Sequence, residues 1–263
     1  MIKVNLNDVK QKILEYLEFD YGTTEMFIEL CNKNFFTAYM FDDMIVLHNK
    51  RNSPAGQIND YKVFNFNVEK TEKFVTQLNS NDLLFFYDDL DIASDSLIFL
   101  DKEIFLCKKA TELFNTPDVY MLTGGDNAEV MEFLNSSLIT EKHISNESDA
   151  LSTIDTIKFI WQEELKDNHT NSHHYCIKYD EKIIGMSEIK INPLLENKAL
   201  LANIYIAEQF RGKGFGKRLL MASMAEKNYT YYYNCHQNNT NSFNTAISSG
   251  FQRNGISSVY LKK

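Results

Sequence analysis

The sequence predicts a mixed α/β (α+β) chain of two domains, and three observations carry that expectation. At 263 residues, with 44% hydrophobic and 24% charged side chains, the chain is long enough for two ordinary domains and apolar enough to give each a core. Short runs with strand patterning alternate along it with apolar residues spaced three and four apart. Asn115-Thr116-Pro117-Asp118 places a proline among polar residues between two structured stretches, which divides the chain into domains 1–115 and 116–263.

In the first domain, Leu6, Val9, Ile13 and Leu17 recur on one face and predict an amphipathic helix ending before Tyr21-Gly22. Phe35 to Phe41 and Met44 to His48 form a strand hairpin turning at Asp42-Asp43. After the Ser53-Pro54-Ala55-Gly56 loop come a strand from Lys62 to Val68 and a helix presenting Thr71, Phe74, Val75 and Leu78. Leu83 to Tyr87 is wholly apolar, as in a strand covered on both faces. A helical stretch leads up to residue 115.

The second domain opens with a strand, Val119 to Thr123. Asp126 with Glu129 three residues on resembles a capping box for a helix carrying Val130, Met131, Leu134 and Leu138. Ile154, Ile157, Trp161 and Leu165 predict another helix. Tyr175 to Tyr179 and Lys182 to Ile191 make a hairpin around Asp180-Glu181, and Leu200 to Ile206 is a further strand. Phe215, Leu219 and Ala222 share a helical face, and Thr230 to Asn234 is a tyrosine-rich strand. A helix from about Asn241 to Ser249 ends at Gly250, and Val259 to Leu261 closes the domain.

A net charge of -9 excludes a general basic footprint for nucleic acid and favours a cationic or amine-bearing partner. The four cysteines, Cys31, Cys107, Cys176 and Cys235, are too scattered for a metal knuckle or disulfide framework, so each is expected as a small buried hydrophobe. No stretch approaches the length of a membrane span, and the expected setting is a reducing cytoplasm. No metal site is expected, and His173-His174 reads as a surface pair before a strand.

The sharpest feature is Gln209-Phe210-Arg211-Gly212-Lys213-Gly214-Phe215-Gly216-Lys217. A strand that ends in glycines and continues as a helix presents unpaired backbone N–H groups at the positive end of the helix dipole. Glycines let phosphate oxygens reach the main chain, and Arg211, Lys213 and Lys217 add positive charge. The triphosphate P-loop is excluded, because three residues separate Gly212 from Gly216-Lys217 and Arg218 follows. The dinucleotide fingerprint fails as well, since Gly214 and Gly216 have one residue between them.

Arg211, Gly214 and Gly216 resemble the loop of the GCN5-related N-acetyltransferase (GNAT) superfamily: Arg or Gln, two residues, Gly, one residue, Gly or Ala. Downstream, Asn239-Thr240-Asn241-Ser242, Ala246 and Gly250-Phe251 are similar to the family helix that ends in Gly-Phe. The resemblance covers roughly residues 116–263. It implies a mixed central sheet flanked by helices and acetyl-CoA as co-substrate. By the same resemblance, Ile204, Tyr205 and Ile206 would pair with the pantetheine arm, Arg211 to Lys217 would hold the pyrophosphate, and Asn239 with Ser242 would contact the cofactor.

Acetylating an amine requires removing a proton from an ammonium whose pKa is about 10, whereas a thiol near 8.5 departs as thiolate at little cost. A base therefore matters more than an acid. Glu188, on the strand beside the cofactor strand, is the first candidate and His236 the second. Many relatives carry an acidic tyrosine four residues before Gly-Phe, where this chain has Ala246; Tyr205, or one of Tyr231, Tyr232 and Tyr233, is the substitute.

Residues 1–115 hold only Gly22 and Gly56 among the ten glycines and cannot build the same cradle. Their order of elements echoes the second domain, which suggests a degenerate GNAT-like copy, with an unrelated accessory domain as the other reading. The expected function is direct acetyl transfer in a ternary complex to an amine of a small molecule. The alternatives are a protein or peptide amine as acceptor, and a non-catalytic acyl-CoA-binding regulator.

Overall fold

The computed structural model describes residues 1–18, 20–30, 36–53, 56–65, 68–92, 94–137, 161 and 171–263. They fall into two compact units: Met1–Cys107 with Asn234–Phe243 and Gln252–Lys263, and Lys108–Tyr233 with Asn244–Phe251. Both units draw on both sides of residue 115.

The first unit begins with strand β1 (Ile2–Val4) and helix α1 (Leu6–Tyr16), which Asn5 caps by accepting the Asn7 N–H at 3.0 Å. Helix α2 (Tyr21–Leu30) was not legible in the sequence; Asp20 opens it by accepting the Thr23 N–H at 3.0 Å. Strands β2 (Thr37–Phe41), β3 (Met44–Ser53) and β4 (Gly56–Phe64) form an antiparallel meander, with the expected turn at Asp42, whose φ is 54°. Residue 35 and the loop residues 54 and 55 lie outside the described residues.

β4 ends at Phe64 instead of continuing to Val68. Asn65 turns left-handed there (φ 56°) and its amide donates to the Asp43 carbonyl, after which α3 (Val68–Val75) starts. β5 (Leu83–Phe86) runs parallel to β4. It is not fully covered on both faces: Leu84 and Phe86 are buried while Leu83 and Phe85 are half-buried. The stretch expected as helical before residue 115 is instead a long strand, β6 (Leu97–Lys109). The final strand, β12 (Gln252–Lys262), sits between β5 and β6, antiparallel to both, so the unit's sheet runs β1-β2-β3-β4-β5-β12-β6. Ile13, Leu17, Phe27, Phe36, Ile45, Leu47 and Phe64 make one core cluster of this unit. Each such burial is worth about 1.5–3 kcal/mol.

In the second unit β7 (Val119–Met121) leads through a single 3₁₀ turn, Gly124–Asp126, into α4 (Asn127–Ser137). The capping box lies three residues earlier than expected: Asp126 is its far member, its carboxylate accepting both the N–H and the hydroxyl of Thr123, while Glu129 pairs with Lys178 at 2.8 Å. The helix expected around Ile154 to Leu165 lies outside the described residues except for Trp161. β8 (Ser172–Tyr179) and β9 (Lys182–Ile191) form the expected hairpin, with Asp180 and Glu181 at φ 48° and 62°. Next come β10 (Lys198–Ile206), α5 (Phe215–Ser223), β11 (Thr230–His236) and α6 (Thr240–Ser248); the last two cross from one unit to the other. β7, β8, β9 and β10 pair antiparallel in sequence, and β11 joins β10 in parallel. Beneath α4, Leu122, Val130, Phe133, Leu134, Trp161 and Met186 form the unit's core.

Candidate functional site

The ladder between β10 and β11 runs only from Lys198↔Thr230 to Leu201↔Tyr233. On the other side of β10, the ladder with β9 slips between Leu201 and Asn203 and then continues through Asn203, Ile204, Tyr205 and Ile206. A bulge of this kind redirects a strand. Among the described residues, β10 from Asn203 onward is laddered with β9 and no longer with β11, so its backbone there turns one edge away from the sheet ladder.

That edge leads directly into the glycine loop. Gly212 and Gly214 take φ of 74° and 82°, and a Cβ built on either meets no atom within 4 Å. Gly214 is the N-cap of α5 and brings no side chain to its first amides, so the N–H groups of Phe215, Gly216 and Lys217 lack intrahelical acceptors. Open space before unpaired amides at a helix N-terminus suits a phosphate.

The basic residues divide their work. Arg211 Nε donates to the Ile206 carbonyl at 2.8 Å and fastens the loop to the end of β10. Lys213 Nζ donates to the Gln209 carbonyl at 2.9 Å and lies over the Phe210 ring. Arg218 pairs with Asp118 at 2.5 Å. Lys217 has no acidic partner among the described residues. Lys108 lies near enough that Lys217, after burial, helps to hold its pKa down. Phe215, Phe210 and Tyr179 pack edge to face and tilted around the loop, bracing it from beneath.

Ile204 to Lys217 are thus brought together in the second unit. Asn239 and Ser242 fall in the first, at the start of α6, where Asn239 Oδ1 accepts the Ser242 N–H at 3.2 Å as a helix cap. His236, also in the first unit, places Nδ1 2.6 Å from Asp101 Oδ2 while its ring is 70% exposed, so Nε2 is the nitrogen turned outward.

Glu188 is 1% exposed. Its Oε2 accepts from Asn203 Nδ2 at 2.5 Å, and its Oε1 lies 3.1 Å from Lys190 Nζ. Tyr205 donates its hydroxyl to Asn203 Oδ1 at 3.2 Å. Asn203, Lys190 and Asp101 carry no motif; only the strand register, which sets Asn203 opposite Glu188, reveals the first of them. Tyr231, Tyr232 and Tyr233 are buried, and burial pushes the Tyr231 hydroxyl up while it accepts the Glu226 N–H at 2.8 Å, which makes it a packing residue. Ala246 is fully buried.

His174 is not the surface residue expected: it is 3% exposed, its ring 4.4 Å from that of Trp161. Cys176 and Cys235 are buried as expected, burial raising their thiols to about 12 and about 11; Cys107 is half-buried and Cys31 lies outside the described residues. Among the described residues no three metal-ligating side chains converge, and no helix is long and apolar enough to cross a membrane. A cavity of about 610 Å³ opens between α4 and the β8–β9 turn, with Glu129, Glu132, Asp180, Glu208, Tyr179 and Phe210 in its wall.

Residues 138–251 match the model of the acetyltransferase (GNAT) family. No curated protein matches the chain. Among solved structures, it is similar to an acetyltransferase from the GNAT family of Colwellia psychrerythraea (11% identity, TM-score 0.57, covering 99% of this chain and 98% of that one). It is similar also to a functionally unknown conserved protein from Staphylococcus epidermidis (11% identity, TM-score 0.53, 80% and 86% covered). A Drosophila protein shares the fold at 12% identity (TM-score 0.52, 98% and 97% covered). A strand bulged away from its parallel neighbour feeds a glycine cradle at a helix N-terminus, and both lie inside residues 138–251, the stretch that is similar to the acetyltransferase (GNAT) family, which uses acetyl-CoA as acyl donor.

Proposed function

We propose that the chain is an N-acetyltransferase that passes the acetyl group of acetyl-CoA directly to an amine of a small molecule, within a ternary complex. The observation that carries this reading is the open cradle at Gly212 and Gly214, set at the end of a strand whose ladder with β11 stops at Leu201. In this reading the backbone of Ile204, Tyr205 and Ile206 pairs with the pantetheine amides. The amides from Gly212 to Lys217, with the Lys217 ammonium, hold the pyrophosphate. Arg211 and Lys213 shape the loop, Phe215 braces it, and Asn239 and Ser242 are further cofactor contacts.

The amine nitrogen attacks the thioester carbonyl, the C–S bond breaks, sulfur leaves as the CoA thiolate, and the nitrogen gives up one proton. His236 is suited to take that proton, because Asp101 fixes its Nδ1 and leaves Nε2 to accept. Glu188, enclosed by Asn203 and Lys190, acts through those partners, and Tyr205 stands nearest the edge that carries the thioester. With Glu129 paired to Lys178 and Lys182 also in the wall, Glu132, Asp180 and Glu208 leave the 610 Å³ cavity acidic, which supports a small cationic acceptor over a peptide.

Residues 116–263 are assigned the transferase role and residues 1–115 the role of a degenerate copy. In support, the first unit runs strand, two helices, three antiparallel strands, helix and parallel strand, and the second, among the described residues, strand, helix, three antiparallel strands, helix and parallel strand, while residues 1–115 contain no Arg-x-x-Gly-x-Gly. The second reading, an acyl-CoA-binding regulator, is favoured by Ala246 at the position of the family tyrosine. Titration with acetyl-CoA, followed by thiol release across a panel of amines, separates the two: turnover supports the enzyme, binding without turnover supports the regulator, and no binding sinks both.

A further inference from the structure

Lys108 stands near the end of β6, in the second unit and outside residues 138–251, so the family resemblance gives it no role. Its ammonium donates to the Ser249 carbonyl at 2.6 Å, just past the C-terminal end of α6. Gly250 makes room for it, because a Cβ there would lie 3.5 Å from both Cε and Nζ of the lysine. A cation at a helix C-terminus is favourable, which accounts for one of its N–H donors. An ammonium has three, and no described residue takes the other two.

The nearest charge to this half-buried lysine is of its own sign. Lys217, in the first turn of α5, is close enough to help lower the Lys108 pKa, burial being the larger cause. Neither lysine has a carboxylate partner among the described residues, although the chain carries a net charge of -9. A second contact fixes where the two helices meet. Gly216, inside the cradle, faces α6, and a Cβ on it would lie 3.5 Å from Thr245 Cγ2. Ser249 is four residues further on, its hydroxyl donating to the Thr245 carbonyl at 2.7 Å. Lys108 therefore sits about one helical turn, roughly 5 Å, along α6 from the point where that helix touches the cradle.

We propose that Lys108 binds the ribose 3′-phosphate of CoA, beside a pyrophosphate held at the cradle, and so makes the protein select CoA over its 3′-dephospho form. This inference rests on the reading that Gly212 to Lys217 hold the pyrophosphate. The 3′-phosphate of CoA is a monoester with close to two negative charges at neutral pH, joined to the pyrophosphate through one ribose. The two anionic groups thus need two cationic positions a short step apart. Lys217 supplies the one at the cradle, and Lys108 supplies the other as a point charge with two uncommitted donors. A phosphate placed there also offsets the repulsion between the two ammonium groups.

The test titrates the full chain with CoA and with 3′-dephospho-CoA by calorimetry, which needs neither an acceptor nor turnover. Wild type should bind CoA about tenfold or more tightly than the dephospho form, as expected for a charge-assisted hydrogen bond, and the preference should shrink as salt is raised. Lys108→Gln keeps an N–H donor for the Ser249 carbonyl and removes the charge. Its affinity for CoA should fall by about tenfold while that for dephospho-CoA stays at the wild-type value, so the preference disappears. Lys217→Gln should weaken both ligands alike, because they share the pyrophosphate.

A wild type that binds both ligands equally overturns the inference, and this comparison stands by itself should Lys108→Gln fail to fold. So does a Lys108→Gln that keeps the preference, or that weakens both ligands equally, which would leave the lysine as a helix cap only. A loss confined to CoA in Lys217→Gln would move the 3′-phosphate to that residue and overturn the assignment as well. A wild type that binds neither ligand overturns the cradle reading instead, which keeps the two failures apart.

Discussion

At the scale of single residues, two glycines of the second unit exist for different reasons. Gly185 on β9 faces Ile206, and a Cβ there would lie 2.3 Å from Ile206 Cδ1, 2.9 Å from the Tyr205 carbonyl oxygen and 3.0 Å from Ile177 Cγ2. The middle contact is backbone and cannot swing aside. Gly185→Ala should therefore cost about 1–3 kcal/mol of stability, the usual range for overpacking, read as a lower denaturation midpoint. Gly214 has nothing near its missing Cβ but holds φ at 82°, so Gly214→Ala should cost about 1–2 kcal/mol of backbone strain. Its larger effect should fall on acetyl-CoA affinity, lowered by about tenfold or more as the cradle amides shift, which calorimetric titration would measure. An affinity equal to wild type would mean that the loop is only a turn.

A third residue ties stability to pH in the unusual direction for a carboxylate. Burial pushes the Glu103 pKa up, although the Asn234 amide donates to it and His236 and Lys62 oppose the shift. A raised folded-state pKa means that the folded chain holds the proton more tightly than the unfolded one. The associated stability is present below the ordinary glutamate value and is lost as pH rises through the higher folded value. Glu103→Gln keeps an acceptor for Asn234 and removes the buried charge. It should raise the melting temperature at pH 7 and flatten the loss of stability as pH rises above the ordinary glutamate value; a lower melting temperature at pH 7 would contradict this.

At the scale of elements, the start of α4 separates a pattern from its register. Asp126 and Glu129 have capping-box spacing, yet the structure closes the box with Thr123 and Asp126. Asp126→Ala should thus destabilise by about 1 kcal/mol, whereas Glu129→Ala loses only a half-exposed ion pair and should cost less than that in chemical denaturation. The hairpin at Asp180-Glu181 was legible because a polar pair opened by Asp180, which tolerates positive φ, stands between two apolar-rich runs. α2 was hidden by Gly22, Thr23 and Thr24, which favour other conformations until Asp20 caps them. In β6, Leu97 and Ile98 are separated from Ile104 and Phe105 by a spacing that a helix would also satisfy. The cradle was legible because its function fixes residue spacing along the chain. The path from Lys190 to Tyr205 was not, because strand register, and not sequence separation, brings Glu188 to Asn203.

At the scale of the whole molecule, the last strand completes the first unit's sheet. β12 lies between β5 and β6 and carries the buried Tyr260, whose hydroxyl accepts the Ile92 N–H and donates to the Leu90 carbonyl, both at 2.9 Å. Ser258 likewise donates to the Asp88 carbonyl and accepts the Leu90 N–H, so the strand also fixes the loop after β5. Without it, β5 and β6 would each expose a full row of unpaired backbone groups to water and to other chains. A chain ending at Phe251 should therefore lose amide-exchange protection in β5 and β6 and aggregate, and a synthetic peptide of residues 252–263 added during refolding should restore protection. Because the partners stand some 150 residues or more apart along the sequence, refolding of the intact chain should also be slow compared with a domain of local contacts. Retained protection of β5 in the truncated chain would mean that the first unit closes its sheet without the strand contributed by the far end of the sequence.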